Sequence, residues 1–394
     1  MSKEKIGLCV CYDTKNFGSQ LQVLATQKIV ESLGYDYEII RYKKKLTPVF
    51  LLKSLPRLFN PYFVKVKLKK IKKQKSIGKH PEIENQIRLR NQRFQEFVKK
   101  YFRNLSSPYL GYGALKRGAE AYDACLTGSD QLWLPGNLGS HFYTQEFVPE
   151  QMLKIAYATS FGVSQIPWYQ RRRTRNYLNR FQYLSSRELK GSELIQELTG
   201  RQSITVADPT LLFSGDDWLS FFPDKRLISG KYIFCYFLGT NKEHREIAAK
   251  LKESTGFKIV TIPFLDHFVE EDMSFGDDRL FDVDAADFVN LIRNAEFILT
   301  DSFHGTVFSI LNHKKFITFN RFREDSKDSR NSRIDSLCSL LGLAERRYQK
   351  NIYDSVNREI DYKSVDQKLG KLRENSIRYL SDALMDISGE RKKG

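Results

Sequence analysis

The sequence predicts an α/β fold made of two doubly wound domains that face each other across a cleft. Two series of short apolar runs alternate with stretches of helical periodicity along the 394 residues. Such alternation is typical of parallel sheets covered by helices. A segment that contains Gly and Pro, 214–230, separates the two series. We therefore predict an N-terminal domain over 1–215 with a basic insert at 41–80, a C-terminal domain over 216–362, and a helix with a tail over 363–394.

The first series opens with a βαβ unit. An apolar run over 6–12 predicts a strand, helical periodicity over 19–34 ends at Gly34, and 37–42 is the next strand. Such a unit places its two strands in parallel. The other predicted elements of this half are a charged helix over 82–103 and strands within 122–133, 154–162, 180–188 and 204–213.

The second series repeats this design after the linker. A strand within 231–239 is followed by a helix that Gly256 ends and by a strand over 258–264. Asp284 marks the start of the next helix, as an N-cap residue does. The later predicted elements are a strand at 296–300 with the helix that follows it, a strand at 314–319, a helix at 333–343 and an amphipathic helix at 363–387.

The composition indicates a globular, cytoplasmic protein. Hydrophobic residues make up 41% of the chain and aromatic residues 13%, and no run approaches the ~20 apolar residues of a membrane span. The first apolar run is too short for a signal peptide. The cysteines, at 9, 11, 125, 235 and 338, include no CxxC pair. This spacing fits a reducing compartment and argues against a disulfide framework or a structural zinc site. No metal and no cofactor are expected.

The positive charge is concentrated in residues 41–75, which we call the basic segment. It contains 13 Lys or Arg and no Asp or Glu, so the net charge of +17 falls to +4 for the other 359 residues. Apolar side chains such as Phe50, Leu58 and Phe63 lie between the charges. This mixture favours a segment that lies on an anionic bilayer. A solvated basic face with its apolar side on the core is an equal alternative, and nucleic acid is disfavoured because no nucleic-acid-binding motif accompanies the charge.

The most informative stretch is EFILTDSFHGTVFS, residues 296–309. A short apolar strand stops at Asp301, and Gly305 opens an apolar-periodic helix. Ligands of open α/β sheets bind where strands end and helices begin, and a helix N-terminus suits an anion. His304 lies in this turn, where it either does chemistry beside an anion or only satisfies backbone groups. Gly305, which has no Cβ, would let backbone approach a ligand closely.

A set of turns and short motifs runs through the chain in order from about residue 6 to about residue 345. They are NFGSQLQVLATQ (16–27), TGSDQLW (127–133), ATSFG (158–162), SSRE (185–188), ADPTLLF (207–213), DFVNLIRNAEFILTDSFHGTVFSIL (287–311) and the NR…SRI stretch (320–334). Together they resemble the polysaccharide pyruvyl transferase family. The resemblance implies a glycosyltransferase-B-like architecture of two facing Rossmann-like domains. It also implies an enzyme that moves pyruvate from phosphoenolpyruvate onto a sugar of a cell-surface polysaccharide or its lipid-linked precursor, forming a ketal.

Two residues match functional positions of that family. Arg187, at the end of the SSRE strand, matches the family's arginine, and a guanidinium can bind a phosphate or carboxylate through two parallel hydrogen bonds. The alternative for Arg187 is an ion pair with Glu188 or another carboxylate. His304 matches the family's histidine. A histidine held near a phosphate has its charged form favoured, which suits a general acid.

The sequence departs from the family's Arg-Leu-His pattern, because the run here is Ser302-Phe303-His304. Ser302 occupies the position at which the family has an arginine in the anion-binding pocket. Binding of phosphoenolpyruvate would therefore need a positive charge from another residue. Without such a charge, this branch of the family binds a different donor. The candidates in the following strand and loop are Arg321, Arg323 and Arg333.

Further candidates lie in turns that face the predicted cleft. Asp130, in TGSDQLW, is either the base that takes the acceptor's proton or a cap of the following turn. Asn16 and Gly18 lie in the first strand-to-helix turn, which is not a GxGxxG. The chain also contains no GxxxxGK[ST], HExxH or GxSxG. Asp208, before a proline, is interpreted as a turn residue at the domain junction, and contact with substrate is the minor alternative.

The leading hypothesis is a cytoplasmic transferase, peripheral on the inner face of the plasma membrane. Its N-terminal domain is the acceptor side and its C-terminal domain the donor side. Its predicted partners are phosphoenolpyruvate, a glycan or lipid-linked acceptor, and an anionic membrane surface contacted through 41–75. The alternatives are a glycosyltransferase that uses a nucleotide sugar and a catalytically silent glycan-binding protein. Ser302 favours both alternatives, whereas Arg187 and His304 together disfavour the silent protein.

Overall fold

The predicted α/β fold is confirmed by two parallel sheets, each covered by helices. The computed structural model describes residues 3–45, 80–136, 138–266, 268–322 and 331–391, with the single positions 64, 68 and 78. Most of the basic segment lies outside the described residues, and so does Arg323. In the described part of the chain, no helix is both long enough and apolar enough to cross a membrane.

The N-terminal elements form a six-stranded sheet. They are β1 (Lys5–Cys9), α1 (Phe17–Ser32), β2 (Asp36–Ile39), β3 (Tyr42–Lys43), α2 (Pro81–Tyr101), β4 (Tyr109–Leu110), α3 (Tyr112–Gly118), β5 (Ala124–Thr127), β6 (Leu153–Thr159), α4 (Trp168–Leu178), β7 (Tyr183–Ser186), α5 (Leu189–Thr199) and β8 (Ile204–Thr205). The sheet order is β2-β1-β5-β6-β7-β8, and β3 pairs with β4 in a separate two-stranded ribbon. Every residue of β5 and β6 is buried, as expected for parallel strands with both faces covered.

The C-terminal elements form a five-stranded sheet. They are α6 (Gly215–Phe221), β9 (Tyr232–Tyr236), α7 (Lys242–Thr255), β10 (Lys258–Thr261), β11 (Asp278–Arg279), α8 (Ala285–Asn294), β12 (Phe297–Thr300), α9 (Phe303–Leu311), β13 (Lys315–Thr318), α10 (Ser332–Leu341), α11 (Ile352–Asn357) and α12 (Tyr362–Arg391). The sheet order is β11-β10-β9-β12-β13. Asp284 caps α8 in a capping box, and Gly256 ends α7 in the left-handed conformation with φ +70°.

Two differences between the predicted and observed local structure have identifiable reasons. The strand predicted within 204–213 covers only Ile204–Thr205 and is followed by a 3-10 turn over 209–212. Pro209 cannot donate a ladder hydrogen bond, and the Asp208 carboxylate accepts the Thr210 N–H instead, at 3.1 Å. The predicted linker contains α6, because Ser214 and Asp217 form a capping box at its start.

Two helices connect the halves of the molecule. On α2, Phe94 stacks on Phe17 of α1 at 5.0 Å, and Phe17 stacks in turn on Phe288 of α8 at 5.1 Å. Arg93 of α2 donates to Asp287 at 2.8 Å. The long helix α12 follows the C-terminal elements but returns to the N-terminal half. There Tyr379 Oη donates to the Ala156 carbonyl of β6 at 3.0 Å, and Ser376 Oγ accepts the Ala207 N–H at 2.8 Å just after β8. These contacts hold the carboxyl edges of the two sheets against each other.

Candidate active site

A cavity of about 330 Å³ lies between the carboxyl edges of the two sheets. Its walls come from turns that follow β1, β5, β9, β10, β12 and β13. This is the edge at which parallel sheets bind their ligands. The lining side chains that matter for the chemistry are Asn16, Ser19, Asp130, Ser302, Phe303, His304, Arg321 and Arg333.

His304 occupies the first turn of α9 and is 7% exposed. Its Nε2 lies 3.8 Å from Asp208 Oδ1, and among the described residues this buried nitrogen has no hydrogen-bond partner. Its other ring nitrogen faces the start of α1, because a Cβ added to Gly18 would lie 1.9 Å from His304 Nδ1. Gly18 therefore leaves room for the imidazole. Neighbouring Asn16 caps α1 by accepting the Ser19 N–H at 3.1 Å.

Arg187 lies under the cavity in a buried ion-pair network. Its Nη1 donates to Asp208 Oδ2 at 2.9 Å, and its Nη2 lies 3.4 Å from Asp130 Oδ1. Its side chain is only 1% exposed. Burial alone would lower the pKa of Arg187, but the carboxylates of Asp208 and Asp130 raise it above its usual value. Arg187 is thus already paired with carboxylates rather than with Glu188, and it does not line the cavity.

Asp208 is fully buried beside this arginine. Its Oδ2 also accepts a hydrogen bond from Ser129 Oγ at 2.9 Å, while its Oδ1 accepts one from Thr210 Oγ1 at 2.7 Å. Burial would raise the pKa of Asp208, yet the imidazole of His304 and the guanidinium of Arg187 hold it well below its usual range. Asp208 is therefore a carboxylate at neutral pH and links Arg187 to His304.

Replacing Asp208 with Asn should destabilise the fold by about 3 to 5 kcal/mol, because it leaves Arg187 buried without its closest counter-charge. The folded-state pKa of Asp208 is depressed, so its stabilisation is present above the unfolded pKa of about 3.9 and is lost as the pH falls below it. Urea unfolding from pH 7 to pH 3 measures both effects. The matched control is Asp366→Asn, an exposed partner of His313, where about 0 to 1 kcal/mol is expected. Equal losses in the two variants would contradict the network.

Asp130 is a charged group in the cavity wall. Ser19 Oγ donates to its Oδ2 at 2.7 Å, and the Gln131 N–H donates to its Oδ1 at 2.8 Å. Burial would raise the pKa of Asp130, but the charges of Arg187 and His304 and the Ser19 hydrogen bond lower it. Its backbone φ of +86° is unusual for a residue with a side chain. Asp130 therefore caps its own turn and also presents an ionised carboxylate to the cavity.

Two arginines of the C-terminal half reach the same cavity. Arg321 donates to the Asp301 carbonyl at 2.8 Å and lies 3.4 Å from the Asp301 carboxylate. Arg333 is buried, and its Nε has no hydrogen-bond partner within the described residues. Burial, together with the charges of Arg187 and Arg321, lowers the pKa of Arg333 to about 9. A buried cation in this state favours an anionic ligand.

The Phe303 ring lies near two of these guanidinium groups. Arg187 Cζ is 4.7 Å from its centroid and Arg333 Cζ is 5.8 Å from it. Both distances fall within the range of cation–π attraction. The ring therefore helps to hold two like charges beside one small cavity.

Ser302 and Gly305 stabilise the turn between β12 and α9. Ser302 Oγ caps α9 by accepting the Gly305 N–H at 3.3 Å, although Ser302 also lines the cavity. A Cβ on Gly305 would lie 2.5 Å from Thr300 Oγ1. The absent side chain of Gly305 therefore allows α9 to pack on β12, and Gly305 does not line the cavity.

The family of this chain is decided by comparison with known sequences. The family model for polysaccharide pyruvyl transferase matches residues 16–321, which is more than half of the chain. The chain belongs to the polysaccharide pyruvyl transferase family. The matched range includes Asn16, Asp130, Arg187 and His304, but it ends before Arg333. No curated protein sequence matches the chain.

One solved structure with a TM-score above 0.5 supports the glycosyltransferase-B-like fold of this pyruvyl transferase family member. A putative UDP-N-acetylglucosamine 2-epimerase from Listeria monocytogenes matches with a TM-score of 0.52 and 10% identity, over 98% of this chain and 96% of that one. The UDP-GlcNAc 2-epimerase from Methanocaldococcus jannaschii matches with a TM-score of 0.46 and 12% identity, over 94% and 99%. At this identity the likeness concerns the fold and not the reaction.

The residue whose role the sequence underestimates is Asp208, for which a turn at the domain junction is the main prediction and contact with substrate the minor alternative. Its partners Ser129 and Gln22 lie on other elements, and Gln22 also donates to it. The sequence of α1 contains an indication of such a buried polar network, because polar side chains such as Gln20 and Gln22 interrupt an otherwise apolar helix. Both are buried, and buried polar groups require partners.

Proposed function

We propose that the protein transfers pyruvate from phosphoenolpyruvate to a sugar of a cell-surface polysaccharide, or of its lipid-linked precursor, as a ketal. The observation that carries this proposal is Arg333, a buried guanidinium at the cavity whose Nε has no hydrogen-bond partner among the described residues. Arg321 and His304 line the same wall. A small donor with a phosphate and a carboxylate supplies an anionic partner for the Arg333 guanidinium.

In this proposal, Arg333 supplies the positive charge that the family's arginine supplies at the position of Ser302. Ser302 lies at the N-cap of α9, where its hydroxyl is used by the helix. Arg333, from the start of α10, reaches the same cavity from another element. In this proposal, Arg333 and Arg321 bind the donor's anionic groups, and the free N–H groups at the start of α9 add further donors.

The reaction adds two sugar hydroxyls to one carbon of the donor. A proton goes to C3 of phosphoenolpyruvate, C2 becomes electrophilic, and one hydroxyl oxygen bonds to C2. The bond between C2 and the phosphate oxygen then breaks, and the second hydroxyl oxygen closes the ketal. One hydroxyl proton balances the proton gained by C3, and the other leaves with phosphate or solvent. We assign His304 as the acid for C3 and Asp130 as the base for the first hydroxyl.

These roles assign a side of the cavity to each substrate. Asp130 belongs to the N-terminal residues 1–215, which we propose as the acceptor side. His304, Arg321 and Arg333 belong to residues 216–362, which we propose as the donor side. Residues 363–394, with α12, would then hold the two sides together through the N-terminal sheet.

A thermal-shift titration tests the choice of donor. A ligand that binds only the folded protein raises stability in proportion to the logarithm of its concentration over its dissociation constant. Phosphoenolpyruvate should therefore raise the melting temperature, whereas UDP-sugars should not. The opposite result would favour a nucleotide-sugar glycosyltransferase, and a response only to glycan would favour a silent binding protein.

Replacing Gly18 with Ala should lower turnover on the order of tenfold or more, because the new methyl group would displace the His304 imidazole from its position. Displacement of a reacting group by about 1 Å can cost as much as 10²-fold. Steady-state phosphate release measures the loss. The control is Gly370→Ala in α12, where nothing lies within 4 Å of the added Cβ. Unchanged activity in Gly18→Ala would place the imidazole elsewhere during the reaction.

We also propose that the basic segment, 41–75, binds the anionic inner leaflet, where lipid-linked acceptors are presented. Lys and Arg near such a surface contribute about 1 kcal/mol each, so a few of its 13 charges suffice. Replacing Lys67, Lys69, Lys70, Lys72 and Lys73 with Gln should sharply weaken salt-sensitive sedimentation with phosphatidylglycerol vesicles. Equal binding by this variant, or no binding of the wild type at low salt, would show that the segment is a solvated surface that does not bind membranes.

A further inference from the structure

The start of α4 presents a pair of exposed aromatic side chains. Trp168 is 84% exposed and Tyr169 is 41% exposed, and their rings meet edge to face with centroids 5.7 Å apart. The other two tryptophans of the chain, Trp133 and Trp218, are fully buried. Tryptophan and tyrosine are favoured where one side of a ring meets an apolar phase and the other meets water.

The same face of α4 is cationic. The helix WYQRRRTRNYL contains four arginines and no acidic residue. Arg172 and Arg175 follow Trp168 by four and seven positions, so they lie on the same face, and both are exposed. The buried residues of α4, which include Thr174 and Tyr177, lie on the opposite face.

A line of contacts connects α4 with the beginning of the basic segment through Arg173, which lies on another side of the helix from Arg172 and Arg175. The Lys43 carbonyl accepts the Gly111 N–H at 2.8 Å, and the next residue, Tyr112, packs edge to face on His141 at 5.9 Å. His141 Nδ1 lies 3.2 Å from Arg173 Nη2 of α4. Along this line Leu110 is also exposed.

The acidic side chain described along this line is already neutralised. Glu146 lies 2.9 Å from His141 Nδ1 and 3.6 Å from Arg173 Nη2. Beside α4 itself, Glu197 of α5 lies 2.7 Å from Arg171 Nη1. The surface therefore has aromatic, aliphatic and cationic side chains, and both of these acids are paired with arginine or histidine. Its charge is complementary to an anionic surface, and its Trp, Tyr and Leu suit the boundary between head groups and acyl chains.

We propose that Trp168, Tyr169, Arg172 and Arg175, together with Leu110 and Tyr112, form a membrane-docking patch that inserts its rings among anionic lipid head groups. This inference rests on the membrane binding in the proposed function and adds a second membrane-binding site outside the basic segment. The rings enter the head-group layer, and the guanidinium groups bind lipid phosphates through charge-assisted hydrogen bonds.

The patch is close to the cavity along the chain. The loop between β6 and α4 contains Gly162, where an added Cβ would lie 2.5 Å from Gln131 Nε2, and Gln131 lines the cavity. Docking through α4 therefore brings the acceptor wall, with Asp130, near the membrane surface. A sugar carried on a lipid would then reach the site from the leaflet that the patch contacts.

Tryptophan fluorescence of the full chain tests the patch directly, because Trp168 is the exposed tryptophan of the three. Vesicles of phosphatidylglycerol should shift the emission to shorter wavelength and lower acrylamide quenching at least about twofold, whereas phosphatidylcholine vesicles should not. The variant Trp168→Phe should lose the response. The double variant Arg172→Gln with Arg175→Gln should bind anionic vesicles several-fold more weakly. The charge-matched control is Lys242→Gln with Lys250→Gln on α7, which should bind as the wild type does.

Several outcomes would overturn the patch. One is sedimentation with anionic vesicles without any decrease in the acrylamide quenching of Trp168. That result would assign membrane binding to the basic segment alone. Absence of vesicle binding at low salt is another. A shift caused by soluble glycan or by self-association without lipid would assign the rings to a different partner. Pyruvyl transfer to a soluble acceptor should be unchanged in Trp168→Ala, so failure of the patch and failure of the proposed reaction can be told apart.

Discussion

Replacing His304 with Gln is expected to lower turnover by at least about 10²-fold, the usual scale for loss of one acid–base group. Glutamine fills much of the volume of the imidazole but cannot donate a proton to the donor's C3. The fold should survive, since the buried Nε2 makes no hydrogen bond that the glutamine would have to replace among the described residues. Single-turnover phosphate release measures the chemical step, and circular dichroism checks the fold.

The control for this variant is His313→Gln, an exposed histidine that pairs with Asp366 at 3.1 Å. It should retain normal turnover. Near-normal turnover in a well-folded His304→Gln protein would remove His304 from the chemistry. In that case the turn would be only the start of a helix, which is the structural alternative that the sequence left open.

Replacing Arg333 with Gln is expected to weaken donor binding by about 10- to 10²-fold, as for the loss of hydrogen bonds to a charged group. The same change should increase the free energy of unfolding on the order of 1 to 3 kcal/mol, because it removes a buried cation that burial and two neighbouring arginines disfavour. Opposite signs for affinity and stability are typical of a residue kept for binding rather than for folding.

The Michaelis constant for phosphoenolpyruvate and urea unfolding at pH 7 measure these two effects. Arg279→Gln is a suitable control, because Arg279 is exposed and donates only to a backbone carbonyl in the described structure. It should change neither quantity. A destabilised Arg333→Gln protein with unchanged donor affinity would show that the guanidinium has a structural partner instead.

The fold was predictable because local and global signals agree. Apolar runs that are buried on both faces gave the strands, and Asp284 and Gly256 marked helix ends that the structure confirms. The strand predicted within 204–213 is confirmed only over Ile204–Thr205, because Pro209 ends the extended conformation. The helix α6 was not predicted, because it is short and lies in a segment whose Gly and Pro residues are typical of a linker.

The candidate site was only partly predictable. The turns that hold Asp130 and His304 could be found because strands of a parallel sheet end at one edge. The partners of Arg187 could not, since Asp208 and Asp130 come from separate turns and meet only in three dimensions. Likewise, sequence alone did not separate Arg333, whose buried Nε has no hydrogen-bond partner in the described structure, from Arg321, which contacts Asp301.

The most direct test of the proposed reaction is acceptor-dependent phosphate release from phosphoenolpyruvate labelled with ¹³C at C2. The protein is incubated with lipid-linked glycan acceptors, and the product is analysed by NMR. The proposal predicts one phosphate released for each labelled ketal carbon formed on the sugar, and no release without acceptor. Phosphate release without a labelled product, or transfer of a sugar from a nucleotide donor under the same conditions, would contradict pyruvyl transfer.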